Sequence, residues 1–222
     1  MPSIAIDGPS GAGKSTIARS AAAQLGFIHV DTGALYRAIG LFAHRAGISD
    51  RDEAALSAHF SEIQVELDHR GEEQAIFLNG EDVSEEIRKP EISMAASNVS
   101  ALPAVRAFLL DLQREMAVKY SVIMDGRDIG TVVLPNADLK IFLTATSEDR
   151  AMRRYLELVT FGEKVRYEEV LADLKRRDKN DSERAAAPLK QADDAILLDT
   201  TGNEMEESVL LVIKTIRERG VG

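Results

Sequence analysis

A chain of 222 residues, 45% hydrophobic, 5% aromatic and 29% charged, has the composition of a helix-rich globular protein, long enough for one α/β core plus an insertion and short for two full domains. Its formal net charge of -10 argues against broad adhesion to nucleic acid polymers or anionic membranes, so a small ligand is the expected partner. With no cysteine and no apolar run of membrane-spanning length, the expected setting is the cytoplasm.

The apolar run Ser3-Ile4-Ala5-Ile6 reads as a buried strand. It leads into Gly8-Pro9-Ser10-Gly11-Ala12-Gly13-Lys14-Ser15, a complete Gly-x-x-x-x-Gly-Lys-Ser match, and Thr16 to Leu25 follows with an Ala-rich helical pattern. Strand, loop and helix in that order are the context a phosphate-binding loop needs. Glycines let backbone N–H groups turn inward around a polyphosphate, Lys14 adds a mobile cation, Ser15 offers a hydroxyl to Mg²⁺, and the helix N-terminus adds its dipole.

A second strand is expected over 27–30. Asp31-Thr32-Gly33-Ala34-Leu35-Tyr36-Arg37 follows it directly and opens a helix over 33–46, with Asp31 or Thr32 as N-cap. From about 62 to 98 the rhythm changes. Ile63-Gln64-Val65-Glu66-Leu67 and Ala75-Ile76-Phe77-Leu78 alternate with a period of two, Asp68 to Gln74 joins them, and Asn79-Gly80 supplies a second turn. This predicts a small antiparallel insertion with a short helix, placed in sequence between the second and third core strands as a cap over the crevice at the carboxyl ends of the strands.

A helix over 104–120 precedes a third strand over 122–124, which runs into Asp125-Gly126-Arg127-Asp128-Ile129-Gly130. Asp125, at the end of a buried strand, suits a water-mediated hold on Mg²⁺. Arg127 and Asp128 are adjacent and satisfy one another poorly, so one is free to grip an anion and the other to accept from an exocyclic amine. Strands over 139–143 and 195–198 and helices over 148–158, 167–179 and 204–219 complete the alternation. Arginines crowd this last third: Arg150, Arg153 and Arg154 at i, i+3 and i+4, then Arg176, Arg177 and Arg184. As a group they fit a phosphoryl-transfer lid, because two phosphates repel by roughly 4 kcal/mol per pair of unit charges at ~4 Å and an effective dielectric near 20. His29, His44, His59 and His69 have no paired spacing suited to a transition metal and read as ordinary surface or core residues.

The expected fold is therefore α/β: a P-loop kinase-type, doubly wound, five-stranded parallel sheet with a lid and a small antiparallel β insertion. One folding unit is expected, with core segments at about 1–61, 99–148 and 190–222, the insertion at about 62–98 and the lid at about 149–189.

Together with Arg-Arg-Tyr-Leu-Glu-Leu and Arg-Arg-Asp-Lys-Asn-Asp-Ser-Glu-Arg-Ala-Ala-Ala-Pro-Leu, these motifs resemble bacterial-type cytidylate kinase from about residue 3 to 201. The resemblance implies transfer of the γ-phosphoryl of ATP to CMP or dCMP, a step of pyrimidine metabolism, with Mg²⁺ as cofactor. It places ATP on the loop from Gly8 to Thr16 with Arg150 and Arg154. Ser97, Arg106 and Asp128 would meet the cytosine, and Tyr36, Arg37, Arg127 and Arg184 the acceptor phosphate. Arg177 and Asp181 would face the sugar, and Thr32 would lie near the acceptor. Phe161-Gly162 departs from the Lys-Gly expected there. An acceptor phosphate with a second pKa of roughly 6 is already ionised at neutral pH, so no general base is required. Catalysis would rest on in-line positioning and charge neutralisation by Lys14, Mg²⁺, Arg127, Arg154 and Arg184.

Other readings are a kinase for another nucleoside monophosphate or for shikimate, disfavoured by the Asp-Gly-Arg-Asp segment and the long insertion, and a non-catalytic ATP-binding protein. A GTP switch would want an Asn-Lys-x-Asp base reader, which the chain lacks, and its Asp68-His69-Arg70-Gly71 match falls in the predicted hairpin. With no exposed apolar stripe evident in the sequence, a monomer is expected.

Overall fold

The computed structural model describes residues 1–70 and 73–221. The chain forms two compact units, the first made of residues 1–29 and 120–222 and the second of residues 30–119.

The first unit is built on parallel strands. β1 (Ser3–Asp7) pairs with β6 (Val122–Gly126) on one side and β7 (Leu139–Thr144) on the other, and β7 pairs with β8 (Ile196–Asp199). With β2 (Ile28–Asp31) these strands make the five-stranded sheet expected from the sequence, in the order β2-β6-β1-β7-β8. The strands are near-continuous runs of β-branched and aliphatic residues because helices cover both faces of such a sheet. Ile4, Ile6, Ile123, Ile141 and Leu143 are buried against Ile17, Ala18 and Ala21 of α1 (Lys14–Leu25) and Val212, Ile213 and Ile216 of α8 (Met205–Glu218). Polar residues appear where the strands end: Asp7, Asp125, Thr144 and Asp199. Strand order reverses beside β1, which is where open α/β sheets bind ligands. Two further helices, α6 (Ser147–Thr160) and α7 (Tyr167–Glu183), pack on each other through Ala151, Val170 and Leu174.

The second unit contains α2 (Thr32–Ala46), α3 (Glu53–Ser57), α4 (Pro90–Val99), α5 (Pro103–Lys119) and an antiparallel sheet of β3 (Val65–Arg70), β4 (Glu73–Leu78) and β5 (Glu81–Asp82). The predicted hairpin is present, in the register Val65 opposite Leu78 and Leu67 opposite Ile76. Residues 71 and 72, including Gly71 of the Asp-x-x-Gly match, lie outside the described residues. Asn79-Gly80 makes the second turn with φ of 52° and 81°, the left-handed pair that a two-residue hairpin loop favours.

Leu35, Ile39, Leu41, Ile76, Leu78, Ile92 and Leu109 form this unit's core, and Phe60 stacks on Phe108 with ring centroids 4.5 Å apart. Helices α2 and α4 approach closely because position 40 has no side chain: a Cβ there would lie 3.1 Å from the Ala96 backbone nitrogen and 3.2 Å from the Ala95 Cβ. Gly40→Leu is therefore expected to destabilise the protein by about 1–3 kcal/mol through overpacking, although leucine is the better helix former. Urea melts of the two proteins check it; a midpoint at or above wild type would refute it.

Candidate active site

The phosphate loop is shaped by conformations only glycine adopts readily. Gly8 has φ of 147°, and a Cβ on it would stand 1.9 Å from the Leu143 carbonyl oxygen; Gly11 and Gly13 have φ of 74° and 81°. The loop therefore lies directly against β7. Lys14 begins α1, is 5% exposed and donates from Nζ to the Pro9 carbonyl at 2.7 Å, so the loop curls around its own cation. Burial and the neighbouring Arg127 guanidinium bring this ammonium down to about 7, against the pull of Asp125, Asp181 and Asp7.

A folded value below the 10.5 of free lysine means that the neutral form is favoured on folding. The nucleotide-free protein accordingly loses stability as pH falls from 10.5 towards about 7, and is indifferent below that range. A polyphosphate at Lys14 would restore the charge. Binding of MgATP near pH ~8 is thus expected to take up a fraction of a proton that binding near pH ~6 does not. Calorimetry in phosphate and in Tris measures this, and equal heats in the two buffers at the higher pH would rule it out.

At the end of β6, Asp125 is 2% exposed and joins two strands' worth of groups. Its Oδ2 accepts from the Ser15 hydroxyl at 2.8 Å and its Oδ1 lies 2.8 Å from His29 Nε2 on β2. A hydroxyl and a carboxylate side by side are hard oxygen donors, the type Mg²⁺ prefers. Mg²⁺ commonly takes only one or two protein oxygens and completes its shell with phosphate oxygens and water. The residues fit Mg²⁺.

Arg127 follows one residue past β6. Its Nε donates to Asp181 at 2.8 Å, one terminal nitrogen to the Ser10 hydroxyl at 3.2 Å and the other to the Gly126 carbonyl at 3.2 Å. Burial works against its charge, but the Asp181 carboxylate outweighs it and holds the guanidinium above its ordinary value. Burial likewise pushes Asp181 up, while Arg127, Arg184 and Arg177 together keep it below the usual carboxylate range. Asp128 is 4% exposed and accepts from Arg184 at 3.2 Å; Arg184 also donates from Nε to the Ala187 carbonyl at 2.7 Å. Lys14, Ser15, Asp125, Arg127, Asp128, Asp181 and Arg184, remote in sequence, thus belong to one connected cluster around the ends of β1 and β6.

The three arginines of α6 diverge. Arg150 is buried, donating to the carbonyls of Ala145 (2.9 Å) and Ser10 (2.7 Å) and to Asp178 (2.7 Å), so its first effect is to fix the phosphate loop to α6 and α7. Arg153 bonds Thr200 O at 2.6 Å and Asp149 at 2.6 Å, bracing the loop after β8. Arg154 is partly exposed and pairs with Glu157 at 2.7 Å.

In the second unit, Asp31 caps α2 by accepting from the Ala34 N–H at 3.1 Å and pairs with Arg37 at 2.6 Å. Thr32 and Tyr36 are buried, and the Arg106 guanidinium lies 5.7 Å from the Tyr36 ring centroid. Ser97 Oγ and Arg37 Nε are buried without a hydrogen-bond partner. Such polar atoms are costly in an interior, and a ligand that supplied their partners would remove the cost.

Asp7, His29 and Asp178 join the cluster without having been singled out in the sequence. His29, read from the sequence as an ordinary surface or core residue, lies with Nε2 2.8 Å from Asp125 Oδ1. Asp7 carried a usable signal: like Asp125, it is an acid closing an apolar strand.

A glycine-rich loop between strand and helix, a buried lysine, a serine–aspartate pair and gathered arginines define a P-loop phosphotransferase of the nucleotide kinase type. The family model described as cytidylate kinase matches residues 4–218. The chain belongs to the cytidylate kinase family. It is 51% identical over 211 residues to the cytidylate kinase of Caldicellulosiruptor bescii, covering 95% of this chain and 93% of that one. It is 52% identical over 219 residues to the cytidylate kinase of Caldanaerobacter subterraneus subsp. tengcongensis, covering 99% and 96%. An uncharacterized protein from Eubacterium ventriosum of known crystal structure shares the fold, with a TM-score of 0.54 at 13% identity, covering 98% of each chain.

Proposed function

We propose that this protein transfers the γ-phosphoryl group of ATP to CMP or dCMP, giving ADP and CDP or dCDP. The observation that carries it is the union, in one buried cluster, of the phosphate loop with the Arg127-Asp128 segment. The loop handles a triphosphate; the segment pairs a cation for an acceptor phosphate with a carboxylate able to accept from the cytosine amine.

The N–H groups of the loop from Gly8 to Thr16, with Lys14, would cradle the ATP phosphates, Arg150 would keep the loop in place, and Arg154 would reach the nucleotide from α6. Ser15 and, through water, Asp125 would hold Mg²⁺, which when bound supplies charge neutralisation to the transferring phosphoryl group. In the first unit we assign Arg127 and Arg184 to the acceptor phosphate, Asp128 to the base, and Arg177 and Asp181 to the sugar. In the second we assign Tyr36 and Arg37 to the acceptor phosphate, Ser97 and Arg106 to the base, and Thr32 to the acceptor's surroundings. No side chain needs to remove a proton, because the attacking oxygen belongs to an ionised phosphate. The fixed positive charges instead offset the repulsion of two polyanions and stabilise charge in the transition state.

We further propose a monomer acting in the cytoplasm, where a chain without cysteine is at no disadvantage. Among the described residues no single helix is long and apolar enough to cross a membrane. A coupled assay for ADP across CMP, dCMP, UMP, AMP and GMP with MgATP tests the function. ADP is expected with CMP and dCMP well above the background without acceptor. Equal ADP release with and without CMP would identify a hydrolase or passive binder instead.

A further inference from the structure

Asp7 closes β1, immediately before the phosphate loop, yet its carboxylate serves another segment. Oδ1 accepts from the Ile129 N–H at 2.7 Å and Oδ2 from the Gly130 N–H at 2.8 Å. These are the first two residues of a single π-helical turn, Ile129–Val133, that directly follows Arg127 and Asp128. The start of any helical turn leaves N–H groups without partners, and the residue before it usually caps them with its own side chain. Here that residue is Asp128, and it makes no capping bond. Its carboxylate goes to Arg184. The cap comes instead from β1, through Asp7.

The contact is built for closeness. Asp7 is 4% exposed, and a Cβ on Gly130 would come within 3.3 Å of Asp7 Oδ2 and 3.1 Å of the Lys140 side chain. Burial pushes the Asp7 carboxyl up to about 6 even though both N–H groups pull it down. A buried carboxylate with a raised pKa stabilises the fold poorly, so its presence calls for another benefit.

We propose that Asp7 is a positioning residue for acceptor recognition: by capping the Ile129–Val133 turn from β1, it fixes the direction in which Arg127 and Asp128 present their side chains relative to the phosphate loop. This rests on the assignment of those two residues to the acceptor. Asp7→Asn replaces one acceptor oxygen by an N–H donor facing an N–H, so one of the two bonds is lost while shape is kept.

Steady-state kinetics of Asp7→Asn with each substrate varied is the test. KM for CMP is expected to rise about 10-fold or more and the preference for CMP over UMP to fall, with KM for ATP within about 2-fold of wild type. Gly130→Ala, which crowds the same contact from the other side, is expected to give the same pattern. Amide hydrogen exchange should show the Ile129 and Gly130 N–H groups protected in the wild type and faster in Asp7→Asn. A rise in both KM values together would overturn the proposal, since it would make Asp7 a support for the loop in general. So would lost amide protection with KM for CMP unchanged. A wild type that phosphorylates no cytidine monophosphate would sink the acceptor assignment and the selectivity half of this proposal, while the exchange rates would still report whether Asp7 holds the turn.

Discussion

Lys14→Ala is expected to lower turnover by roughly 100-fold or more while leaving the fold in place. The lysine is buried at the start of α1 and donates from Nζ to the Pro9 carbonyl of the loop. Removing it takes away a cation that a water-excluded site cannot replace from solvent. The loop's shape, in contrast, comes from Gly8, Gly11 and Gly13 and from the Arg150 bond to the Ser10 carbonyl, none of which depends on Lys14. Since folding favours the neutral amine, its loss should not lower the melting temperature of the nucleotide-free protein at neutral pH. Turnover and thermal melts on one preparation check both halves. Activity within a few-fold of wild type would show that phosphoryl transfer does not use this residue.

Asp128 bears on which base is accepted. Cytosine carries an exocyclic amine where uracil carries a carbonyl, so a carboxylate attracts the first and repels the second. Asp128→Asn presents both an acceptor and a donor, and is expected to reduce the CMP-over-UMP efficiency ratio by roughly 10- to 100-fold, the scale of about 1.5–3 kcal/mol for a hydrogen bond to a charged group. Asp128→Ala should reduce it as well, with an added loss of stability. It would remove one carboxylate partner of the Arg184 guanidinium, whose side chain is only 4% exposed and which keeps its bond to the Ala187 carbonyl. Side-by-side kcat/KM values for CMP and UMP decide the matter; an unchanged ratio would move base recognition to other residues.

Most of the fold can be read from the sequence because its signals are local. The phosphate loop, the Asp31 cap and the Asn79-Gly80 turn each depend on a few adjacent residues whose backbone preferences point one way. Strand ends shift by a residue or two: β1 extends to Asp7 and β6 to Gly126, because polar residues at strand termini can keep their backbone pairing while leaving the apolar run. The hairpin begins at Val65 rather than Ile63, since a 3₁₀ turn at Phe60–Glu62 immediately precedes it.

Long-range charge partners leave no such trace. The spacing of Arg150, Arg153 and Arg154 places three guanidinium groups on one stretch of helix, but only tertiary neighbours decide that Arg150 turns inward to Ser10 and Asp178 while Arg154 remains partly exposed. The Asp7 cap is invisible for the same reason, its partners being 122 and 123 residues away. The second compact unit takes in residues on both sides of the 62–98 segment.

The acidic partners of the arginines have a kinetic meaning. Arg127 with Asp181, Arg150 with Asp178, Arg184 with Asp128 and Arg37 with Asp31 are each met by a carboxylate of the same chain. A guanidinium so partnered can still steer an incoming anion, but it holds that anion less tightly than a bare one would. A catalyst whose products carry as much negative charge as its substrates gains from that moderation, because what is gripped too firmly is never let go.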